Sequence, residues 1–490
     1  MNLQRKKKVA RRRKIILSLL LVVLVLGVIR FLTLRAADLA AWPTQAPGIS
    51  LAFDTSRHLG KRLARPADVQ TVLTNWPSAD PALIAEYHRY QACGVTNRAD
   101  YPLIERRLGT AGDSLVGIFQ FWRRFDGLDD SRGSMPFNEF IGRNAEVTIL
   151  GCYAASAGIR IGELDIGKSD LRLEMLANAL KLTHGGGLLG RAAAINNVML
   201  VAREILMDPA CSDYDEWVSL VQGIRLLEGE IGPLDDAIRA DFVSLHDSVR
   251  AMYGQSSGSE KSGEIQSPRL GKATSVVVGL LGGNEKSTWG NLAALGTRLI
   301  QNAQGAYTPD GLTGGLPDWC RGKGRAPSTR DPLGGAMASA YLRHAIYAHA
   351  VDPSLRLELR AARLALALAR YRQTTDRYPT SWDDLLRGMV GKLEAGDWMD
   401  PFAKKSGTRL VYSLDGGQWR FYSVGLDQED GGGLVDAYRA ANADAQKKSD
   451  FIFSQRERES RIASFVAPKQ KAEVVVQSSA TNDLKTAGGK

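Results

Sequence analysis

The chain is poor in the residues that build covalent and metal-centred sites. It has four cysteines and six histidines among 490 residues, and no Asn-x-Ser/Thr acceptor for N-glycosylation. The cysteines are Cys93, Cys152, Cys211 and Cys320. Their wide spacing excludes a CxxC metal or redox motif. Long apolar runs are absent as well, apart from one near the N-terminus, so the sequence offers a single membrane-spanning candidate.

The net charge of +10 belongs to one end of the chain. Residues 1–35 contain ten basic residues and no acidic one. When these ten are taken from the total of 63, the remaining chain has 53 basic and 53 acidic residues. A neutral body lacks the positive surface that a polyphosphate partner requires. The composition therefore argues against a nucleic-acid partner.

Residues 15–34 read IILSLLLVVLVLGVIRFLTL, close to the length of about 20 residues that crosses a bilayer as a helix. Eight basic residues precede this run, which places the N-terminus in the cytoplasm. A cleaved signal peptide is the alternative, but its apolar core is normally shorter. Residues 34–37 match an A-x-A cleavage site poorly, and Ala40-Ala41 is the remaining candidate for such a site. We predict a retained transmembrane helix that contacts the lipid bilayer.

The absence of glycosylation acceptors would be unusual for an exported eukaryotic chain of this length. A bacterial inner-membrane protein that faces the periplasm fits better. In that oxidising compartment the four cysteines could form two disulfides, with three pairings that the sequence does not distinguish. Four buried free thiols are the alternative.

The fold class predicted from these patterns is mainly α with a C-terminal α+β module and a single N-terminal transmembrane helix. The predicted divisions are a basic cytoplasmic segment (1–14), the transmembrane helix (15–34), a stalk (35–60), a helical periplasmic domain (61–252), a flexible linker (253–275), a mixed region packed on the helical domain (276–351), the α+β module (352–440) and a largely disordered tail (441–490).

Within the helical domain, apolar residues recur at helical spacing. The predicted helices are 81–91, 170–182, 191–207, 215–229 and 234–252. A Gly-Gly-Gly break at residues 185–187 separates the second of these from the third.

The module has the clearest local signals. A helix is predicted to begin at Asp352-Pro353-Ser354. Its apolar stripe is Leu357, Leu364, Leu368 and Tyr371, and its solvent face is Arg356, Arg360, Arg363 and Arg370. Thr380 or Ser381 caps a short helix. Two β-rich runs, 408–414 and 418–424, are joined by Asp415-Gly416-Gly417, which predicts a hairpin.

Three motifs follow one another in this module. Residues 367–386 read ALARYRQTTDRYPTSWDDLL, Asp400-Pro401-Phe402 comes next, and residues 421–433 read FYSVGLDQEDGGG. In this order, residues 352–433 resemble the soluble C-terminal domain of the major pseudopilin of type II secretion systems. In that family the membrane helix runs directly into the module, and a peptidase site that contains Gly and Glu precedes the helix. Residues 13–18 offer neither, so the resemblance implies the module's fold rather than filament assembly.

The resemblance also implies a calcium site in the acidic loop after the last hairpin strand. Asp427 and Asp430 match that loop, with Ser423 and backbone carbonyls nearby. Oxygen ligands from a short loop suit Ca²⁺. A solvated turn is the alternative, because Asp and Gly dominate turns for backbone reasons.

Motifs for enzymatic chemistry occur without their required context. Residues 254–258 (GQSSG) match G-x-S-x-G, and residues 184–187 (HGGG) match the oxyanion loop of some lipases. Ser256 lacks the preceding strand that a nucleophile elbow needs. Residues 282–288 resemble a phosphate loop, but Glu285 would repel phosphate. His344 and His349 are five residues apart, so they do not share a helix face and suggest ordinary surface or interface positions.

No catalytic or cofactor-binding residues are therefore predicted. The sequence favours a non-enzymatic, membrane-anchored periplasmic scaffold or accessory protein of the cell envelope, associated with type II secretion or type IV pilus machinery. Its partners would be other envelope proteins. The alternative is a periplasmic hydrolase with an unrecognised site in the helical domain.

Overall fold

A computed structural model describes most of the chain between residues 42 and 454. The described residues are 42–52, 61–75, 116–129, 136–157, 167–209, 211, 213–253, 284–321, 331–389, 392–433 and 449–454. The predicted transmembrane helix, the helix predicted at 81–91 and the linker after Tyr253 lie outside these residues. Of the helices that are described, none is both long and apolar enough to cross a membrane.

The described residues form two compact units whose chain segments alternate. The first unit contains residues 42–52, 242–253, 284–302, 313–321 and 331–346. The second unit contains the other described residues. Each unit has its own buried apolar residues.

The fold is mainly helical with a small sheet near the C-terminus, which confirms the predicted class at that level. The helices are α1 (Pro66–Asn75), α2 (Pro136–Ala157), α3 (Lys168–Lys181), α4 (Gly187–Met207), α5 (Tyr214–Gly229), α6 (Leu234–Met252), α7 (Glu285–Ala303), α8 (Pro332–Thr375) and α9 (Trp382–Gly388). The strands are β1 (Leu63–Ala64), β2 (Gly127–Leu128), β3 (Val411–Asp415), β4 (Gln418–Ser423) and β5 (Phe451–Ser454). Helices α3 to α6 confirm four helices predicted from apolar spacing.

In the second unit, α2, α3 and α4 pack on one another and α5 packs on α3. Between α3 and α4 the chain turns at the Gly-Gly-Gly break. Gly185 and Gly187 have positive φ values of 72° and 60°. Side chains there would collide with the Leu128 carbonyl and the Asp241 carboxylate. Only glycine allows the backbone to approach its neighbours so closely.

A fully buried ion pair joins α3 to α4. The Arg172 guanidinium donates twice to the Glu204 carboxylate, with Nε–Oε2 and Nη2–Oε1 distances of 2.7 Å. Both side chains are 0% exposed. Arg172 also donates to the Asp208 carbonyl at 2.7 Å. The two charges neutralise each other where water does not reach.

The module begins differently from the prediction. Helix α8 starts at Pro332, twenty positions before the predicted start at Asp352, and it continues through Pro353. Ser381 caps α9 by accepting from the Asp384 N–H at 3.1 Å. The hairpin forms as predicted, with β3 and β4 joined by Gly416 and Gly417 at φ values of 55° and 79°.

A third strand completes the small sheet. Strand β5 pairs antiparallel with β4, and Phe421 lies opposite Phe453. Phe451 and Phe453 are buried. These residues belong to the stretch predicted as a largely disordered tail, and the structure corrects that expectation for residues 449–454. Alternating aromatic residues on one face of a strand bury that face in the core.

In the first unit, α7 and the start of α8 are held together by one buried carboxylate. Asp331 accepts from the Thr288 hydroxyl and the Gly334 N–H, both at 2.8 Å, and from the Asn291 amide at 3.0 Å. The Tyr253 hydroxyl lies 3.0 Å from the Thr288 hydroxyl. Thr288 is the last residue of the run 282–288 that resembles a phosphate loop, and its hydroxyl is used in this structural hydrogen bond.

Cys152, Cys211 and Cys320 are reduced thiols that form no disulfide in the structure. Two disulfides need all four cysteines, so the two-disulfide interpretation is wrong for this fold. Cys152 is fully buried, where it behaves as a small apolar side chain. Cys93 lies outside the described residues.

Replacing Glu204 by alanine would leave the Arg172 charge buried without its partner. We expect Glu204→Ala to lower the free energy of unfolding by about 3–5 kcal/mol, measured by urea denaturation. The double variant Arg172→Met/Glu204→Met should lose much less, since no buried charge remains. Glu174→Ala, which removes a carboxylate paired with the 52% exposed Arg123, is the matched control and should cost about 1 kcal/mol or less. A Glu204→Ala loss no larger than this control would contradict the assignment.

Candidate functional site

The acidic loop after β4 is the candidate site singled out by the sequence, and Asp400 anchors it. The Asp400 carboxylate accepts from the Ser423 hydroxyl at 2.7 Å and from the Val424 and Phe402 N–H groups at 2.9 Å. The Asp-Pro-Phe motif and the end of β4, which lie apart in sequence, are thus joined. Ser423 is fully buried and donates to Asp400, so the structure does not place it as a metal ligand.

The two predicted metal ligands lie in this loop, and each accepts hydrogen bonds from the loop's own backbone. Asp427 Oδ1 accepts from the Glu429 N–H at 3.0 Å. Asp430 Oδ1 accepts from the Gly432 N–H at 2.8 Å and from the Tyr422 hydroxyl at 3.1 Å. A side-chain oxygen that binds an N–H two residues ahead is the signature of an Asx turn.

A third carboxylate, Asp450, enters the loop from the start of β5. It accepts from the Gly433 N–H at 2.7 Å and from the Gly431 N–H at 3.2 Å. Burial raises the pKa of Asp450, and the charges of Asp430 and Asp427 raise it further. Sequence reasoning missed this residue because it lay in the predicted tail. The run Phe451-Ile452-Phe453, which is typical of a strand, was the available signal.

The segment 303–312 packs over the same loop. The Tyr307 hydroxyl donates to the Leu426 carbonyl at 3.1 Å, and the Gln428 side chain donates to the Tyr307 carbonyl at 3.1 Å. Burial, followed by the charge of Asp427, raises the pKa of Tyr307 to about 12. On its other side the Tyr307 ring contacts the ring of His349, with centroids 4.9 Å apart. The loop is therefore held from α8 as well as from the sheet.

Calcium takes six to eight oxygen ligands. The carboxylates of Asp427, Asp430 and Asp450 each already accept at least one N–H group. Within the part of the chain that the structure describes, no group of three or more His, Cys, Asp or Glu side chains is arranged to hold a metal ion. The observed hydrogen bonds are those of a self-capped turn, the alternative to calcium, and calorimetry in calcium and in chelator distinguishes the two.

The His-Gly-Gly-Gly turn is the described part of the hydrolase hypothesis. The Leu188 N–H, which follows the three glycines, donates to the Asp241 carboxylate at 3.3 Å. The His184 ring lies 2.8 Å from the Glu230 carbonyl and 3.2 Å from the Lys61 ammonium. An oxyanion loop must keep its N–H groups free for substrate, and Leu188 does not. Ser256 lies outside the described residues.

A buried arginine–carboxylate network joins the module to the helical body within the second unit. It consists of Arg225 and Glu228 on α5, Arg360 and Arg363 on α8, and Asp397 from the loop before the hairpin. Arg363 Nη2 donates to Glu228 at 2.6 Å, and its Nε lies 3.0 Å from Asp397. Arg360 donates to Glu228 at 2.6 and 2.9 Å. Arg225 donates to Asp397 at 2.6 Å.

This network corrects the predicted solvent face of α8. The side chains of Arg363 and Arg360 are only 1% and 14% exposed, whereas Arg356 is 41% exposed. Burial tends to raise the pKa of Glu228, but the charges of Arg363 and Arg360 outweigh it and hold that pKa below its ordinary value. The arginines are buried because α5 and the loop containing Asp397 cover this side of the helix.

Because the loop carboxylates are already hydrogen-bonded, we expect calcium to leave the melting temperature unchanged. Differential scanning calorimetry in excess calcium and in chelator checks this. A site filled at 100 times its dissociation constant would add about 2.7 kcal/mol, enough to shift the transition visibly. Such a shift, lost in Asp430→Asn but kept with the exposed Asp383→Asn, would establish the calcium site instead.

His349 should make the stability of the second unit depend on pH. Burial lowers the pKa of His349 to about 4, although a hydrogen bond to the Thr308 backbone opposes this. Among the residues that the structure describes, none forms a hydrogen bond with the Nε2 atom of His349. As pH falls from about 6.5 towards about 4, the imidazole of His349 becomes protonated in the unfolded chain but stays neutral in the folded chain. The free energy of unfolding should therefore fall over this window, by at most about 3 kcal/mol.

Urea denaturation across that pH window is the measurement, and the slope against pH is the quantity compared. His349→Gln should flatten the slope, whatever its effect on absolute stability. His344→Gln, at an exposed helix position, should leave the slope as it is. Equal slopes for the wild type and His349→Gln would rule out this assignment. The sequence suggested an ordinary surface or interface position for His349, and the structure shows it buried against Tyr307 rather than at the surface.

Comparison of the chain with protein-family models, with curated proteins and with solved structures finds no match in any of the three. The pseudopilin resemblance therefore depends on the motifs of residues 352–433 alone. The structure adds that Asp400 holds the last two of these motifs together. Function must be inferred from the geometry described above.

Proposed function

We propose that this chain is a membrane-anchored periplasmic scaffold or accessory protein of the bacterial cell envelope, which presents a pseudopilin-like module to secretion or pilus machinery. The observation that carries the proposal is the arginine–carboxylate network, which builds the module into a larger helical body. A module fixed in this way has a set position and orientation. That suits a scaffold, whose task is to hold a recognition surface in place.

The apolar side of α8 supports the same conclusion. Leu357, Leu364 and Leu368 are fully buried in the core of the second unit. Trp217 on α5 donates its indole N–H to the Leu366 carbonyl at 3.0 Å. The module's helix thus packs along the helical body. A helix covered by its own chain is unsuited to pack against neighbouring subunits in a filament, so we propose a partner of such machinery rather than a filament subunit.

The compartment is inferred from the sequence. A span of apolar residues behind eight basic residues places the body in the periplasm. The neutral charge of the chain after residue 35 argues against a nucleic-acid partner. We propose protein partners in the envelope, with the lipid bilayer contacted through residues 15–34.

Affinity capture from cross-linked membranes tests the proposal. We expect the full-length protein to recover secretion or pilus components. Asp397→Ala removes the shared carboxylate partner of Arg225 and Arg363, so it should loosen the module from the body and lower this recovery. Arg363 keeps Glu228 but loses its second carboxylate, and breaking a buried arginine–carboxylate pair destabilises a structure by several kcal/mol, about 3–5 in measured cases.

Asp383→Ala is the matched control, because Asp383 is 71% exposed and pairs with Arg409 at the surface of the same module. It should recover as much as the wild type. Circular dichroism of each variant checks that the helical body remains folded. Capture that recovers no secretion or pilus component, or a C-terminal reporter active only in the cytoplasm, would refute the proposal.

A further inference from the structure

The segment that follows the predicted membrane span does not behave as a free stalk. The Ala46 N–H donates to the Thr297 hydroxyl on α7 at 3.0 Å. Arg298, the next residue on α7, donates to the Thr44 carbonyl at 2.9 Å and to the Thr44 hydroxyl at 3.1 Å. Residues 42–52 are therefore fastened to the first unit, which corrects the predicted stalk (35–60) over these residues.

Apolar contacts reinforce these hydrogen bonds at both ends of the segment. The Trp42 and Trp319 rings meet edge to face with centroids 5.4 Å apart. Ala46 is 2% exposed. Gly296 leaves room for Leu51, since a Cβ there would come within 2.9 Å of Leu51 Cδ2. Hydrogen bonds and apolar contacts together show that residues 42–52 are packed on the first unit. We call this segment the strap.

The length of chain before this strap limits how far the first unit can move from a membrane. If the span ends at Leu34, eight peptide steps lead to Trp42. Fully extended, they reach at most about 28 Å. A random coil of this length spans about 16 Å on average. A unit fastened at Trp42 therefore stays close to the bilayer surface.

We propose that the first unit lies against the membrane, with the partly exposed Trp42, packed on the buried Trp319, directed at the lipid surface. Tryptophan favours the headgroup region of a bilayer because its ring is both apolar and able to donate a hydrogen bond. Arg321, two residues after Trp319, is partly exposed beside them. The inference rests on the proposed membrane anchor, and it adds which part of the body the anchor holds against the membrane.

Energy transfer from the protein to the membrane tests this position. The full-length protein is placed in vesicles of phosphatidylethanolamine and phosphatidylglycerol that contain a lipid-linked acceptor dye. A fluorescent amino acid in place of Arg321 is the donor. We expect strong transfer. Inserting 20 Gly/Ser residues between Asp38 and Leu39 lengthens the tether without touching the first unit. The average reach then rises to about 29 Å, so the transfer should fall by half or more.

The same 20 residues inserted after Gly258, in the predicted linker, are the matched control and should leave the transfer unchanged. Carbonate extraction of each variant reports the anchor separately. A protein released into the soluble fraction would remove the anchor and the proposed function with it. A membrane-bound protein with weak transfer from position 321, or with transfer unaffected by the tether insertion, would overturn this inference alone.

Discussion

The buried charge of Arg363 is the constraint on which the second unit depends. A guanidinium removed from water is costly unless carboxylates reach it at close range. Its two partners come from different parts of the chain, Glu228 from α5 and Asp397 from the loop before the hairpin. Neither partner alone satisfies the fork-shaped group. Helix α5, helix α8 and the module loop must therefore come together for any of them to be stable, which ties the module's folding to that of the body.

Another buried arginine has a similar effect on α8. Arg191 on α4 pairs with Asp352 and donates to the Gly232 carbonyl. Asp352 stands directly before Pro353, where local rules predict that a helix begins. Proline lacks the N–H that a helix interior uses. The helix nevertheless continues through Pro353. The packing of α8 and the contact between Asp352 and Arg191 outweigh the cost of a proline inside a helix.

These cases show which features a sequence predicts and which it does not. The Ser381 cap, the Gly416-Gly417 hairpin and helices α3 to α6 depend on neighbouring residues, and each formed as predicted. The burial of Arg363 and the entry of Asp450 into the acidic loop depend on residues far away in the chain. Helical spacing turns Arg363 about 100° away from Leu364 and so off the leucine stripe, but spacing does not reveal that a second layer covers that side.

In the acidic loop, the residues that carry the motif resemblance have structural roles of their own. Asp400 and Ser423 match the family pattern because they join the Asp-Pro loop to the end of β4. Asp427 and Asp430 match it because they cap the turn that follows. A backbone with this shape needs those residues whether or not a metal binds. Conversely, the features peculiar to this chain are the helical body, the network that fastens the module to it, and the strap on α7. The scaffold function proposed above therefore depends on how the body holds the module, since the module's motifs are explained by its own stability.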